Sequence, residues 1–418
     1  MISYKQSINE LKNSRIVIKE EFVKSNNSLN RVTASNIFSK TNNPSANIAA
    51  CGGCVINSRD TKNLNKKKSK LFKIIGTIAA GDKPFNKKVK KFETIENMTG
   101  GIIPKGFDTV IPIEQVIFYP NSKKPRYILI DRKISKYQHI RLMGSDFKKK
   151  DLIIKKGTIL QSNHILAIKT LGIKKIKVKK IPNILFFSTG NEVTNQEKIP
   201  DWKVRNSNSY FIQSLDRNFL FNFSNGGILK DKDDLIFKSK IKKMLNSKID
   251  IIITSGAVSA GKFDYIPSVI KKFKLSNYFK GVSIRPGKPI LFAKIRGKQK
   301  VIFGLPGNPI SSAACFRFFV YPYLLDLLGI EKEKPLKAIL KNKFKKKPDF
   351  TRFVKSKINT TKNGNLEVEI LTGQESFRIQ SFIKSNVWAV LPSGKSNFKK
   401  GEILDCFLPN HSNKNLIG

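Results

Sequence analysis

The sequence predicts a multidomain α/β protein: a central parallel sheet, a β-rich second domain and a C-terminal β-barrel-like domain. Three observations carry this. Between Asn183 and about Ile330 a unit of apolar strand, glycine-bearing loop and helix recurs. Its strands, ILFFST, IDIIITS and KVIFGLP, have the unbroken apolar runs of a sheet covered on both faces. From Pro44 to about Asp151, short apolar stretches (KIIGTIAAGD, TVIPIEQVIFYP, RYILID) alternate with Gly, Pro and Asn, the texture of a small β domain. After Lys332 the pattern is one of alternation, in FVKSKI, LEVEIL, VWAVLP and EILDCFL, which marks a second β region.

The elements between these follow in order. From Ser7 to about Ala34, Ile8, Leu11, Ile16, Ile18, Phe22 and Val23 recur at helical spacing and predict a helix, a connection and a second element. GTILQSNHILAIKTLGI predicts a helix and KKIKVKKIP a strand that ends at Pro182. At 418 residues and 40% hydrophobic content the chain can bury several cores. The N-terminal segment MISYKQSINELKNSRIVIKEEF lacks the apolar run of a signal peptide, and no stretch reaches the roughly 18 apolar residues of a membrane span. Four cysteines in a chain of this length argue against a disulfide framework, so a cytoplasmic location is expected.

The formal charge of +49 at pH 7 raises the question of a polyanionic partner. The lysines are spread along the whole chain (Lys66 to Lys68, Lys148 to Lys150, Lys345 to Lys347), and no nucleic-acid module is present. The reading is therefore of solvated faces that attract anions, with no nucleic acid expected and an anionic small molecule well suited.

Ligands of an open parallel sheet bind beyond the carboxyl ends of its strands. Three segments lie there: Ser188-Thr189-Gly190-Asn191-Glu192, Thr254 to Gly261 followed by Lys262-Phe263-Asp264-Tyr265, and Gly304-Leu305-Pro306-Gly307-Asn308-Pro309 before a helix near Ile310. Small and hydroxyl residues let backbone amides approach a phosphate. One such loop is also what an ordinary strand-to-helix turn uses; three at corresponding strand ends point to a ligand. None is a Walker loop or a GxGxxG fingerprint. Glu192 and Asp264 each follow a glycine loop and Asp231 ends a third apolar stretch, GGILKD; carboxylates beside a phosphate imply a divalent cation between them, Mg²⁺ by chemistry, and helix capping is the alternative. Arg285-Pro286-Gly287-Lys288-Pro289 presents two cations on a stiff backbone, suited to a tetrahedral oxyanion, against a chance pairing in so basic a chain. Cys51-Gly52-Gly53-Cys54 has no second CxxC, and His139, His164 and His411 form no ligand motif, so it reads as a flexible glycine loop with incidental cysteines. No GxSxG elbow is present.

FSTGNEV, TSGAVSAGKFDY, IRPGKP and GLPGNPISS, in this order, resemble the molybdopterin molybdenumtransferase family, which includes the bacterial MoeA-type enzymes and the E domain of gephyrin. NMTGGIIPKGFDTVIPIEQ and IRLMGSD resemble further motifs of its second domain, so the likeness runs nearly end to end. It implies a molybdopterin-binding α/β domain (1–26 and 182–330), a linker domain (27–44 and 150–181), a β-rich second domain (45–149) and a C-terminal β domain (331–418). It also implies a homodimer with a site formed between the α/β domain of one subunit and the second domain of the other. The implied reaction takes adenylylated molybdopterin and molybdate, with Mg²⁺, to molybdenum cofactor and AMP. A molybdopterin adenylyltransferase would be the supplier and molybdoenzymes the recipients.

By motif, Ser188, Thr189, Gly190, Ser255, Gly256, Gly307 and Asn308 would bind the pterin phosphate or adenylate. Glu192, Asp231 and Asp264 would serve the metal and the attacking water. Arg285, Lys288, Arg352 and Ser381 resemble the family's molybdate contacts, and Thr99 and Asp146 its second-domain contribution. The chain departs from the pattern where the family's SAMDGYA-like loop corresponds to Ile48 to Cys54: Cys51 stands in the place of the aspartate. Asn191 also stands where many relatives carry aspartate. A thiol is a poor substitute for a hard oxygen ligand, so the alternative reading is a non-catalytic pterin-binding or scaffolding homologue.

Overall fold

The computed structural model describes residues 1–215, 220–259 and 264–409. It divides into two compact units, one of Met1–Ser35, Lys156–Ile165 and Lys175–Gly418, the other of Asn36–Lys155 and Leu166–Lys174. The chain begins with α1 (Tyr4–Asn13). The Gln6 amide donates to the Ser3 hydroxyl (3.2 Å) and the Ser3 amide to the Gln6 side chain (2.9 Å), a capping box that satisfies two otherwise orphaned N–H groups. β1 (Glu20–Lys24) follows and pairs antiparallel with a strand reached after the second unit.

The second unit is built on six strands: β2 (Gly53–Ile56), β3 (Lys70–Ile78), β4 (Glu93–Asn97), β5 (Thr109–Pro112), β6 (Ile117–Tyr119) and β7 (Tyr127–Ile130), in the order β5-β2-β4-β3-β7-β6. Alternate residues of β2 face opposite sides: Val55 packs with Ile78, Ile95, Ile103 and Val110, while Cys54 and Ile56 pack with Phe72, Ile111 and Ile128. This is the β-rich region the sequence predicts. Helix α2 (Ser162–Thr170) and β8 (Lys175–Lys179), the partner of β1, come next, as their periodicity requires.

The central sheet of the first unit takes β9 (Asn183–Thr189), α3 (Ser207–Leu215), β10 (Asn222–Leu229), α4 (Asp234–Leu245), β11 (Ile251–Ser255) and α5 (Ile266–Lys271) in succession. It is completed by β12 (Leu275–Lys280) and, after the short β13 (Ile284–Arg285), by β14 (Leu291–Ile295) and β15 (Val301–Leu305). Its strand order is β10-β9-β11-β15-β14-β12. β10, β9, β11 and β15 run parallel; β14 and β12 add an antiparallel edge. Only five residues, 296–300, join β14 to β15, too few for a crossover, so this pair closes as a hairpin. Both faces are covered: Phe186, Ile251, Ile253 and Phe303 on one side, and Phe187, Ile252 and Ile302 on the other with Phe237, Ile241 and Val269 of α4 and α5. That double burial is why the strands read as unbroken apolar runs.

After β15 comes α6 (Pro309–Cys315), which continues through one wide turn (316–320) into α7 (Tyr321–Leu328) and stops at Gly329, φ 71°. The C-terminal strands are β16 (Leu336–Leu340), β17 (Thr351–Thr360), β18 (Leu366–Ile370), β19 (Val387–Leu391) and β20 (Ile403–Phe407), with α8 (Ile379–Lys384) between β18 and β19. They close in the order β17-β18-β16-β20-β19, and β19 pairs back onto β17, giving a barrel filled by Leu340, Val354, Val368, Ala389, Leu404 and Cys406. β13 joins its rim by pairing with β17.

Arg317, in the wide turn, fastens the helix to this region: its Nε donates to the Leu408 carbonyl (2.6 Å) and its guanidinium pairs with Glu333 (2.7 Å) among the rings of Phe318, Tyr321 and Phe407. Both charged side chains are largely enclosed, 5% and 15% exposed, so removing one leaves the other short of compensation. Arg317→Met is expected to lower the unfolding free energy by about 3 kcal/mol in urea denaturation, whereas Lys337→Met, at an exposed pair with Asp405, shifts it by under about 1 kcal/mol.

Candidate active site

The parallel ladder sets Ser188 beside Ser255, Ser255 beside Leu305 and Thr189 beside Leu229. The segments that begin at Gly190, Gly256, Pro306 and Lys230 therefore leave from adjacent strands at one edge, where a parallel sheet binds ligands. Ser188, Thr189 and Ser255 are each 3% exposed, and each hydroxyl is held: Ser188 by Asn206, Thr189 by the Ser255 carbonyl (3.0 Å), Ser255 by the Pro306 carbonyl (3.3 Å). Asn208 donates both to the Ser255 hydroxyl and to the Gly307 carbonyl, each at 2.7 Å, and so ties two loops together. Asn206 and Asn208 do not stand out in the sequence. An Asn-Ser-Asn-Ser stretch at a helix start reads as capping chemistry, and only the fold turns these side chains across to the neighbouring loops.

Gly256 has φ +100°, and a Cβ on it would lie 2.5 Å from the Thr189 hydroxyl and 2.9 Å from the Thr189 carbonyl. The close approach of the two loops thus depends on glycine. Asn308 donates to the Ser376 hydroxyl (3.1 Å), which joins the third loop to the turn before α8. Of the TSGAVSAGKFDY motif, residues 260–263 lie outside the described residues, as does His411.

The acidic residues are arranged more loosely than expected. The Glu192 carboxylate folds over Gly190, where an added Cβ would lie 2.3 Å from Oε2. The Asp231 amide donates to the Asn191 side chain (3.3 Å), and the Lys230 amide to the Asp233 carboxylate (2.7 Å). Tyr265, next to Asp264, has its phenol pushed up by burial and by Asp233, Asp231 and Asp234 around it. Among the described residues no three carboxylate, thiol or imidazole groups converge as metal ligands. Glu192, Asp231 and Asp264 therefore do not form a ready-made cage, because each is positioned by its own loop.

The cations come together at the barrel rim. Arg285 lies opposite Arg352 in the β13–β17 pairing, and the Arg352 guanidinium sits 5.1 Å from the Phe344 ring centroid. Burial first, and then Arg285, push the Arg352 pKa down; burial and then Arg352 do the same to Lys346. Lys288 is exposed and enters the loop's geometry through its carbonyl, which accepts from the Val282 amide (2.9 Å). Gly287, φ +104°, rests on α6 so closely that a Cβ would lie 2.4 Å from the Cys315 sulfur. Ser381 is 8% exposed and lines a pocket of 320 Å³ with Thr372, Gly373, Glu375, Arg378 and Lys384. Glu375, which is felt electrostatically by Arg352, connects this pocket to the arginine pair. Lys346, Glu375, Arg378 and Lys384 are additions that sequence reading missed, since in so lysine-rich a chain no pattern separates them from surface residues.

In the second unit, Thr99 borders the CGGC loop: a Cβ on Gly52 would lie 3.8 Å from its hydroxyl. Asp146 is fixed by Asn43, whose side chain donates to the carboxylate (2.7 Å) and whose carbonyl accepts from the Asp146 amide (3.0 Å). The Cys51 thiol is pushed up by burial and by Glu114, so it is neutral at pH 7. Cys51 and Cys54 pack with different clusters on the two sides of β2, and both thiols are free. The loop is not the flexible one expected: a Cβ on Gly53 would strike the Ile111 carbonyl at 1.9 Å, so this glycine permits the close pairing of β2 and β5.

Gly256→Ala is expected to cost about 2–3 kcal/mol of stability through its strained φ and the clash with Thr189. Gly227→Ala, where φ is +91° but nothing lies within 4 Å, isolates the strain component and should cost about 1–2 kcal/mol. Urea denaturation of the pair gives the difference, and equal losses would remove the argument for loop contact.

Comparison with known proteins identifies the family. Residues 2–172 match the MoeA N-terminal region (domain I and II), residues 186–326 the "Probable molybdopterin binding domain" family, and residues 337–408 the MoeA C-terminal region (domain IV). A molybdopterin molybdenumtransferase of Staphylococcus aureus (strain COL) is 32% identical over 412 residues, 97% of this chain and 95% of the relative. One of Staphylococcus epidermidis is 30% identical over 411 residues, with the same coverage of both chains. The crystal structure of the molybdopterin biosynthesis moeA protein from Pyrococcus horikoshii OT3 superposes with a TM-score of 0.81 at 26% identity, covering 98% of this chain and 100% of that one. With 97% of its length covered at 32% identity and its three regions matched in order, this chain belongs to the molybdopterin molybdenumtransferase family of enzymes.

Proposed function

We propose that this chain transfers molybdenum from molybdate to adenylylated molybdopterin and releases AMP in a Mg²⁺-dependent step. The observation that carries this reading is the continuity, through Asn308 and Ser376, between the hydroxyl-lined loops of the sheet edge and the cationic pocket of Ser381. One end suits a phosphate ester and the other a tetrahedral oxyanion, and the reaction needs both near each other.

In this reading Ser188, Thr189, Gly190, Ser255, Gly256, Gly307 and Asn308 hold the pterin phosphate and adenylate. Arg285, Lys288, Arg352 and Ser381 receive molybdate. Mg²⁺ is commonly held by one or two carboxylates together with substrate phosphates, so separate carboxylates on adjacent loops fit it better than they fit a closed protein cage. Glu192, Asp231 and Asp264 are the donors that would hold it, and the ion would offset the charge of the phosphoanhydride. A carboxylate of this group also accepts the proton of the attacking water as the phosphoanhydride P–O bond breaks. Thr99 and Asp146 complete the set of polar contacts, in a homodimer. A molybdopterin adenylyltransferase as supplier, molybdoenzymes as recipients and a cytoplasmic setting belong to the same proposal; among the described residues no helix is long and apolar enough to cross a membrane.

A second reading, pterin binding or scaffolding without turnover, is favoured by Cys51, whose neutral thiol lies where the family loop carries a carboxylate. The purified protein with adenylylated molybdopterin and Mg²⁺ is expected to release AMP when molybdate is added. Bound pterin without AMP would establish the scaffolding reading instead. Asp264→Asn should lower kcat at least about 100-fold while the pterin stays bound. Cys51→Asp should raise turnover about 10-fold if the loop carboxylate assists proton transfer, and an unchanged kcat would show that another group has that role.

A further inference from the structure

Lys355 is the most deeply enclosed lysine of the barrel, 1% exposed, and its ammonium donates to three backbone carbonyls: Gly373 at 2.7 Å, Arg378 at 3.0 Å and Glu375 at 3.2 Å. Three acceptors match the three N–H bonds of a protonated lysine. Its backbone is engaged by the same turn: the Lys355 amide donates to the Gln374 side chain (3.0 Å), which returns a bond to the Lys355 carbonyl (2.8 Å). The turn these bonds shape, 373–378, forms one wall of the Ser381 pocket.

The Ser381 hydroxyl has one proton and lies 2.6 Å from the Gly373 carbonyl and 3.2 Å from the Arg378 carbonyl. These are two of the three carbonyls that Lys355 already satisfies. While the ammonium holds them, the hydroxyl can turn its proton toward an anion in the pocket without leaving a buried acceptor orphaned. A neutral amine has one N–H fewer, and the carbonyls then compete for the serine proton.

We propose that Lys355 is a positioning residue of this pocket, that its protonated form sets the Ser381 hydroxyl to receive a tetrahedral oxyanion, and that oxyanion binding is coupled to proton uptake by Lys355. The proposal rests on reading the pocket as the molybdate site. Burial brings the Lys355 pKa down to about 8, with Glu375 opposing that shift and Arg378 adding to it. The other charges nearby are Lys384 on α8, which lines the pocket, and Arg352 on the same strand; the cross-strand neighbour on β19, Trp388, does not titrate. A dianion favours the charged lysine, and by linkage the charged lysine favours the dianion.

The sign of the pH dependence sets this role apart from a merely structural one. The folded chain gives up this proton near pH 8, whereas the unfolded lysine holds it to about 10.5, so this group's contribution to stability improves as pH rises through that window. Oxyanion affinity falls through the same window. A residue that only supported the fold would shift stability and leave the affinity flat.

The test is calorimetric titration of the full-length protein with molybdate, and separately with tungstate, in buffers of different ionisation enthalpy, with sulfate as a control for general anion binding. At about pH 8 the wild type is expected to take up roughly half a proton per oxyanion, and its affinity should drop about 10-fold between about pH 7 and pH 9.5. Lys355→Met should bind weakly with no uptake and a flat profile, and Lys355→Arg should recover affinity while losing the pH dependence. Wild-type binding without proton uptake overturns the proposal even if neither variant folds, as does uptake that persists in Lys355→Met. Failure of the wild type to bind either oxyanion at any pH removes the molybdate reading itself, a different result from these.

Discussion

The level ending of three parallel strands, with Ser188 beside Ser255 and Ser255 beside Leu305, is the constraint from which the rest of the site follows. Each apolar run gives way abruptly to hydroxyl side chains or to a glycine loop. A slip of one residue would draw a hydroxyl into the apolar layer between sheet and helices, at roughly 1–3 kcal/mol for each group left without a partner. The apolar faces therefore choose the register, and the register brings the loops together. Asn208 then needs to bridge only the short gap between Ser255 and Gly307.

Most of the chain's positive charge is solvated, but a few cations are enclosed, and these divide by role. Lys300 is buried against the carbonyls of Ser247 and Ile249, just past the end of α4, where a cation offsets the helix dipole. Arg352, Lys346 and Lys355 are instead gathered around the barrel rim and the pocket beside it. All four have pKa values pushed down first by burial. Around the rim, Arg285 and Arg352 repel one another, and Glu375 is the carboxylate that Arg352 and Lys355 share. Like charges held this close lower stability and raise affinity for a multivalent anion, because the anion supplies the compensation that the protein omits.

The architecture was largely legible in the sequence, and the site only in part, for a reason visible in particular residues. ILFFST, IDIIITS and KVIFGLP declare themselves because double-sided burial requires apolar runs, and the barrel strands do so because one-sided burial requires alternation. The antiparallel edge was not legible: LFAKI has the same apolar character as its parallel neighbours, and only the five-residue link to β15 decides direction. Loops rich in Gly and Ser marked the sheet edge. Asn208, Glu375 and Lys355 stayed hidden because their partners are distant in sequence or are backbone carbonyls, which leave no trace in side-chain pattern. The acidic trio reads in the sequence as one metal-binding set, and among the described residues it does not converge as one, since spacing along a chain carries no information about whether three loops meet.

The loop at Cys51 is held in shape by its backbone. Its backbone is fixed on both sides by bonds that do not involve the side chain at 51: Ala49 to Gly101 (2.9 Å), Ala50 to His139 (2.9 Å) and Ile113 to the Gly52 carbonyl (3.0 Å). Gly53 adds the close approach to Ile111 that any side chain would block. The conformation is thus specified by backbone bonds and a glycine, while the Cys51 side chain adds only its packing against the neighbouring apolar cluster. Replacing a carboxylate by a thiol at such a position removes a charge and a proton acceptor near neutral pH but leaves the loop in place. Fold and family are then preserved by the same interactions whether or not the side chain at 51 takes part in the reaction.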